Sequence, residues 1–197
     1  MPEIKAAIDP KHAILLVMDY QPGILSNLPG ANELLARMAD TIKLLRGRGV
    51  QIGYVRVAFT DTDHETIPEH NSRFKELATN GKMHHESPQT AIHAEVAPEP
   101  GDIVVRKTRV GPFTTTDLDR QLHDRQIDTL ILAGVSTSGV VLSTVREAAD
   151  RDYQVFVLED GSADSDQAVH DMLIQRVFPR QARVISVADL PQLLESR

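Results

Sequence analysis

The sequence predicts an α/β protein in which helices cover both faces of a six-stranded parallel β-sheet. Short apolar runs alternate along the chain with amphipathic stretches, which is the pattern of repeated strand–helix units. Several of the apolar runs are continuous, as expected for strands that are buried on both faces. The chain has 197 residues, enough for one full domain of this class and too few for two. We therefore expect residues 1–197 to form a single three-layer domain.

The apolar runs predict the strands, and the amphipathic stretches between them predict the helices. The strands are expected at His12–Met18, Gln51–Phe59, Ile103–Arg106, Thr129–Ala133, Gln154–Leu158 and Ala182–Val187. The helices are expected at Asn32–Arg48, Asn71–Ala78, Thr116–Arg125, Thr137–Arg151, Asp166–Phe178 and from about Leu190. In Asn32–Arg48 the apolar residues return with a period of 3.6 residues. Pro179 ends the helix that precedes it, because proline cannot continue the helical hydrogen bonding.

The composition argues against several classes of function. The formal net charge is −7, and a nucleic-acid groove or an anionic membrane surface would require clustered Lys and Arg. The chain has no cysteine, so disulfides and thiolate chemistry are impossible. No apolar run approaches the ~20 residues of a membrane span, and the N-terminus lacks the pattern of a signal peptide. We expect a cytoplasmic protein whose partner is a small molecule rather than a nucleic acid or a membrane.

Polar residues stand at the predicted carboxyl ends of several strands, where parallel α/β sheets bind their ligands. Asp19 follows the first strand, Lys107 the third, Ser136 the fourth and Asp160 the fifth. The sequence GVSTSG at 134–139 joins a strand to a helix, and backbone N–H groups at such a junction can hold an anion. The chain contains neither GxGxxG nor GxxxxGK[ST], and we expect no cofactor.

Each of these candidates also has a structural interpretation. Asp19 could act as a general acid or base, or it could cap the turn that follows it. Ser136 and Ser138 could cap a helix rather than face a ligand. Neither serine is a convincing nucleophile, because no histidine lies nearby in the sequence to act as its base.

A long segment, Thr60–Gly101, separates two predicted strands, and we call it the arm. A loop of this length in a compact domain is usually functional or makes an interaction. The arm contains five histidines: His64, His70, His84, His85 and His93. They could bind a metal together with Asp61 or Asp63, although no zinc-type spacing such as HExxH is present; the alternative is a polar loop that is rich in histidine. We expect the arm to lie over the crevice, at a subunit contact, or both.

Three motifs, in this order, resemble the isochorismatase-like hydrolase superfamily. They are LLVMDYQ with Asp19 and Gln21, KTRVGPF with Lys107 and Phe113, and GVSTSGVVLSTVREAADRDY, which begins at Gly134. The similarity covers nearly the whole chain, through VFVLEDGSAD and the closing helices. It implies the Rossmann-like α/β/α fold of that superfamily and, by analogy, a homo-oligomer.

The resemblance also bears on the mechanism. Most of the similar proteins are amidases with an Asp–Lys–Cys triad, and the position of the cysteine falls here on Val140, which offers no lone pair for attack. The isochorismatase branch also lacks the cysteine; there the Asp protonates an enol-pyruvyl ether and water adds. That branch has Gly at the position of Val140 and an aromatic residue at that of Ser136. A non-proline cis peptide would fall between Val135 and Ser136, and Arg73 and Arg109 are candidates for binding a carboxylate.

From these observations we predict a small-molecule hydrolase in which Asp19 donates or accepts a proton, Lys107 tunes Asp19, and water is the nucleophile. An enol ether such as isochorismate suits this chemistry best. The residues expected to bind the substrate or an oxyanion are Gln21, Phe113, Ser136, Thr137, Gly139 and Val140. The alternative is a catalytically silent ligand-binding relative, which Val140 favours because it fills the place of the nucleophile.

Overall fold

One parallel sheet organises the computed structural model, which describes residues 7–195. Its strands are β1 (Ala13–Met18), β2 (Gln51–Val57), β3 (Ile103–Lys107), β4 (Thr129–Val135), β5 (Gln154–Ala163) and β6 (Arg183–Ile185). They lie in the order β3-β2-β1-β4-β5-β6, and every neighbouring pair is parallel. The predicted fold class is therefore confirmed.

Seven α-helices accompany the sheet within the described residues. They are α1 (Pro22–Leu25), α2 (Ala31–Gly47), α3 (Ser72–Thr79), α4 (Leu118–Asp124), α5 (Leu142–Ala149), α6 (Gln167–Met172) and α7 (Leu190–Glu195). Two predicted helices are divided, because π-helical turns cover Thr137–Val141 before α5 and Leu173–Val177 after α6. The apolar pattern continues through both turns, so hydrophobic periodicity could not reveal them.

The strand β1 explains why the sheet needs helices on both faces. All six of its residues are buried. Its alternate side chains enter two different cores, as the period of a strand requires. Ala13, Leu15 and Val17 pack in the core that includes residues of α2 and α7, whereas Ile14, Leu16 and Met18 pack with residues of α4 and α5.

The strand order reverses at β1, which has β2 on one side and β4 on the other. In parallel α/β sheets a crevice opens at the carboxyl ends of the two strands that meet at such a point. Asp19 directly follows β1, and Ser136 directly follows β4. The topology therefore places Asp19 and Ser136 at the mouth of the same crevice.

Residues 1–6 and 196–197 lie outside the described part of the chain. The expected domain limits of 1–197 and the expected absence of a signal peptide both involve these residues. Between residues 7 and 195, no helix combines the length and the apolar character that crossing a membrane would require.

Candidate active site

A cavity of about 630 Å³ opens at the carboxyl ends of β1, β3 and β4. The sheet, the helix start after β4 and the arm all contribute to its wall. The polar and small residues that line it are Asp19, Asn27, Arg73, Lys107, Ser136, Ser138, Gly139, Asp164 and Ser165, and Val140 lies beside them. A volume of this size fits a small organic molecule.

Asp19 and Lys107 form a buried ion pair in the cavity wall. Lys107 Nζ lies 2.7 Å from Asp19 Oδ2, and the two side chains are only 3% and 6% exposed. Lys107 Nζ also donates a hydrogen bond to the carbonyl oxygen of Val110 at 2.8 Å. Asp19 Oδ1 is buried and accepts no hydrogen bond from any described residue. One carboxylate oxygen is thus anchored, and the other is buried without a hydrogen-bond partner among the described residues.

The backbone leaves the extended conformation of β1 at Asp19. Asp19 has a φ of +60°, in the left-handed region that Asp tolerates better than most residues. Its N–H donates to the carbonyl oxygen of Val55 and its carbonyl oxygen accepts from the N–H of Gln21, each at 2.8 Å. These hydrogen bonds connect Asp19 to β2 on one side and to the turn after β1 on the other.

Burial raises the pKa of Asp19 to about 6, and the charge and hydrogen bond of Lys107 limit this rise. A carboxyl group with a pKa near 6 is partly protonated close to neutral pH. It can then donate a proton to a bound molecule, which an ordinary surface carboxylate cannot do at that pH. The pair has the electrostatics of a general acid that is held by a neighbouring ammonium.

The helix start after β4 forms a second part of the wall. The peptide bond between Val135 and Ser136 is cis, as the resemblance implied. Gly139 allows a close approach of the Ser136 hydroxyl, because a Cβ at position 139 would lie 2.7 Å from Ser136 Oγ and would force that side chain to move. Val140 is only 2% exposed and contributes hydrocarbon surface.

The protein itself occupies part of the predicted oxyanion site at this helix start. The N–H of Ser138 donates to Asp164 Oδ2 at 2.8 Å. The N–H of Gly139 donates to the carbonyl oxygen of Ser136 at 3.2 Å. Of the N–H groups from Thr137 to Val140 that we expect to hold an oxyanion, those of Ser138 and Gly139 therefore have acceptors within the protein.

Gln21, a predicted binding residue, has a structural role outside the cavity. Its Nε2 donates to the carbonyl oxygens of Val57 and Thr90 at 2.9 and 2.8 Å, and its Oε1 accepts from the N–H of Val57 at 2.8 Å. The side chain is fully buried. Gln21 therefore connects the turn after β1 to the end of β2 and to the arm.

Replacing Gln21 by Leu is expected to lower the free energy of unfolding by about 2–3 kcal/mol, because buried backbone groups lose their partners. Urea denaturation measures this change. Gln89→Leu is the control, since Gln89 is exposed and should change stability little. A Gln21→Leu variant that is as stable as the wild type would contradict the proposed connection.

Two further predicted binding residues also lie outside the cavity. Phe113 is buried in the core, where its ring stacks with Tyr153 at 6.2 Å between centroids and lies 4.6 Å from the guanidinium carbon of Arg151. Thr137 is buried, and its Oγ1 lies 2.8 Å from His170 Nδ1. Both residues belong to the motifs that carry the family resemblance. In the structure, however, the ring of Phe113 packs against Tyr153, and the hydroxyl of Thr137 lies against His170.

The arm covers part of the cavity, and α3 and the following turn supply its contacts. Arg73, Phe74, Leu77 and Met83 line the cavity. Arg109, the other predicted carboxylate ligand, instead donates to the carbonyl oxygen of Thr108 at 2.8 Å and does not line the cavity.

The histidines of the arm do not converge on a common point. His84 Nε2 lies 3.2 Å from Asp61 Oδ1. Within residues 7–195, however, no three His, Asp or Glu side chains are grouped so that they could hold a metal ion.

Sequence reasoning chose Asp160 at the end of β5 and missed Asp164. The strand extends to Ala163 after a register shift opposite Leu132 and Gly134, so Asp160 lies within it. The carboxylate of Asp160 accepts from the N–H of Val187 at 2.9 Å, away from the cavity. Asp164 lines the cavity instead. Little in the sequence indicates that β5 continues past Asp160, because a bulge such as this register shift has no fixed sequence pattern.

The buried Asp19–Lys107 pair and the cis peptide before Ser136 are features that the resemblance to the isochorismatase-like hydrolases implied. The family model for the isochorismatase domain matches residues 13–189. The chain therefore belongs to the isochorismatase family of hydrolases.

Individual relatives agree with this assignment. The chain is 31% identical over 189 residues to the isochorismatase family protein YecD of Escherichia coli O157:H7, covering 93% of this chain and 96% of YecD. It is 32% identical over 186 residues to the phenazine biosynthesis protein PhzD of Pseudomonas fluorescens, covering 93% and 86%. An isochorismatase family protein from Burkholderia thailandensis superimposes with a TM-score of 0.79 at 27% identity, covering 96% and 98%.

Proposed function

We propose that this protein hydrolyses a small enol ether of the isochorismate type, with Asp19 as the proton donor and water as the nucleophile. The observation that carries the proposal is the asymmetry of the Asp19 carboxyl group. Oδ2 is held by Lys107, whereas the buried Oδ1 has no partner among the described residues, and the side chain lines the cavity. A proton on Oδ1 would be available to a bound substrate.

The reaction begins with proton transfer from Asp19 to the terminal carbon of the vinyl ether. The electrons of the carbon–carbon double bond form the new C–H bond, which leaves an oxocarbenium ion at the ether carbon. Water adds to that carbon and returns a proton to the Asp19 carboxylate. The resulting hemiketal collapses to an alcohol and a keto acid, which is pyruvate when the substrate is an enol-pyruvyl ether. Lys107 holds the acid in place and stabilises its anion after proton transfer.

Acyl transfer fits this site less well. Val140 offers no nucleophile at the position where similar amidases have cysteine. The N–H groups of Ser138 and Gly139 have acceptors within the protein, so they do not provide a ready oxyanion hole. A vinyl ether needs neither feature, because positive rather than negative charge develops in its transition state.

Arg73 is the best candidate for binding a carboxylate of the substrate. It lies on α3 of the arm and lines the cavity. A guanidinium group can hold a carboxylate through two parallel hydrogen bonds. This role places the anionic end of the substrate under the arm and leaves the vinyl ether for Asp19.

The proposal is tested by measuring pyruvate release from isochorismate as a function of pH. Asp19 must be protonated to act, and its pKa is raised to about 6. Turnover is therefore expected to be maximal below about pH 6 and to fall by about tenfold per pH unit above it. A rate that rises with pH through this range would show a group acting as a base and would contradict proton donation.

A silent ligand-binding protein is the second candidate, and the buried side chain of Val140 in the cavity wall favours it. Such a protein would be stabilised thermally by isochorismate but would release no pyruvate.

Two expectations about the whole molecule are also proposals. We infer that residues 1–197 fold as one domain, and that the chain forms a homo-oligomer with the arm at the contact. Sedimentation velocity of the wild type measures the oligomeric state, and a monomer at all concentrations would contradict the second inference.

A further inference from the structure

The cavity contains a second carboxylate that the proposed mechanism has not used. Asp164 lines the cavity together with Asp19. Its Oδ2 accepts from the N–H of Ser138 at 2.8 Å, and its Oδ1 accepts from the N–H of Asp166 at 3.3 Å. These contacts fix the carboxylate at the helix start, on the wall where a similar amidase would stabilise an oxyanion.

The surroundings shift the pKa values of the two carboxyl groups in opposite directions. Burial raises the pKa of Asp19 to about 6, against the effect of Lys107. Partial burial also acts to raise the pKa of Asp164, but hydrogen bonds from Ser138, Asp166 and Ser165 outweigh it and hold that pKa below its ordinary value. Two carboxyl groups whose pKa values are shifted in opposite directions are typical of sites where one group donates a proton and the other remains an anion.

We propose, on the basis of the proposed function, that Asp164 is a further catalytic residue, a fixed negative charge in the cavity that stabilises the oxocarbenium ion formed when Asp19 protonates the enol ether. Asp164 forms no covalent bond and transfers no proton in this step. The proton leaves Asp19, and the carbon–carbon double bond supplies the electron pair for the new C–H bond. The negative charge of Asp164 stabilises the positive charge that then appears on the ether carbon. Water then adds to that carbon and gives up a proton to the Asp19 carboxylate, which removes the positive charge.

The charges around the cavity support a role in the transition state rather than in binding. The substrate that the site fits is an anion, which Arg73 attracts and Asp164 repels. Asp164 therefore makes the bound substrate less stable and the cationic intermediate more stable. An interaction of this kind raises kcat without lowering KM, because only the difference between the two states accelerates the reaction.

Asp164→Asn removes the charge and keeps the shorter hydrogen bond, because the amide oxygen of Asn can still accept from the N–H of Ser138, while the amide nitrogen replaces the oxygen that accepts from the N–H of Asp166 at 3.3 Å. With isochorismate as the probe, kcat is expected to fall by about 10²-fold while KM stays the same or decreases. Asp150→Asn is the control: Asp150 is exposed at the end of α5, and removing its charge should leave both constants unchanged. A residue that only caps the helix start would instead lose stability and leave kcat near the wild-type value.

Several outcomes would overturn the inference. They are a kcat of Asp164→Asn within about threefold of the wild type, or a fall in kcat with an equal rise in KM. If Asp164→Asn does not fold, Asp164→Ser is the second neutral variant; failure of both to fold would mark Asp164 as structural. An inactive Asp19→Asn beside an active Asp164→Asn would remove this inference alone. An active Asp19→Asn, or a wild type without turnover, would remove the proposed function with it.

Discussion

Replacing Asp19 by Asn is expected to lower kcat for isochorismate by about 10³-fold, the largest loss of activity that we predict. The amide of Asn cannot donate a proton of suitable acidity to the vinyl carbon. It has nearly the same size as the carboxyl group, and its oxygen can still accept from Lys107 Nζ. The substrate should therefore bind with a similar KM, and the loss should lie in the chemical step.

Pyruvate release under saturating substrate measures this loss. Glu159→Gln is a matched control, because Glu159 is an exposed carboxylate on β5 that does not line the cavity. It should keep the wild-type rate. If Asp19→Asn turns over isochorismate as fast as Glu159→Gln, proton donation by Asp19 cannot be part of the mechanism.

Most of the fold could be predicted because its signals are local. The continuous apolar run of β1 indicates a strand that is buried on both faces, and all six of its residues are buried. The end of β5 could not be predicted, because the register shift opposite Leu132 and Gly134 depends on pairing with β4. Without this register shift the strand would end near Leu158, and for that reason the sequence predicts Asp160 rather than Asp164 at the end of the strand.

The candidate site was only partly predictable, for a different reason. The sequence places Asp19 and Lys107 at strand ends, and the sheet order brings them to 2.7 Å although β2 lies between their strands. The roles of Gln21 and Phe113 depend on which partners surround each side chain. Gln21 finds three backbone partners and Phe113 finds an aromatic and a cationic neighbour, and no spacing along the chain encodes these contacts.

Replacing Lys107 by Met is expected to give the largest loss of stability, about 3–5 kcal/mol at neutral to basic pH, because Asp19 then remains buried without its partner. Without Lys107 the pKa of Asp19 in the folded protein rises further above about 6, whereas in the unfolded chain it returns to about 3.8. The folded state then binds the proton more tightly than the unfolded state does. Stability therefore increases as the pH falls through the folded pKa, and the loss is largest above it.

Urea denaturation of Lys107→Met at about pH 8 and about pH 4.5 measures this dependence. The double variant Asp19→Asn/Lys107→Met is the decisive control. It contains neither buried charge, so its stability should return to within about 1 kcal/mol of the wild type and should not share the pH dependence of the single variant. A double variant that is as unstable as Lys107→Met, or a single variant that is equally unstable at both pH values, would mean that the loss comes from packing of the lysine stem. In that case the ion pair with Lys107 would not be the interaction that stabilises the buried Asp19 carboxylate.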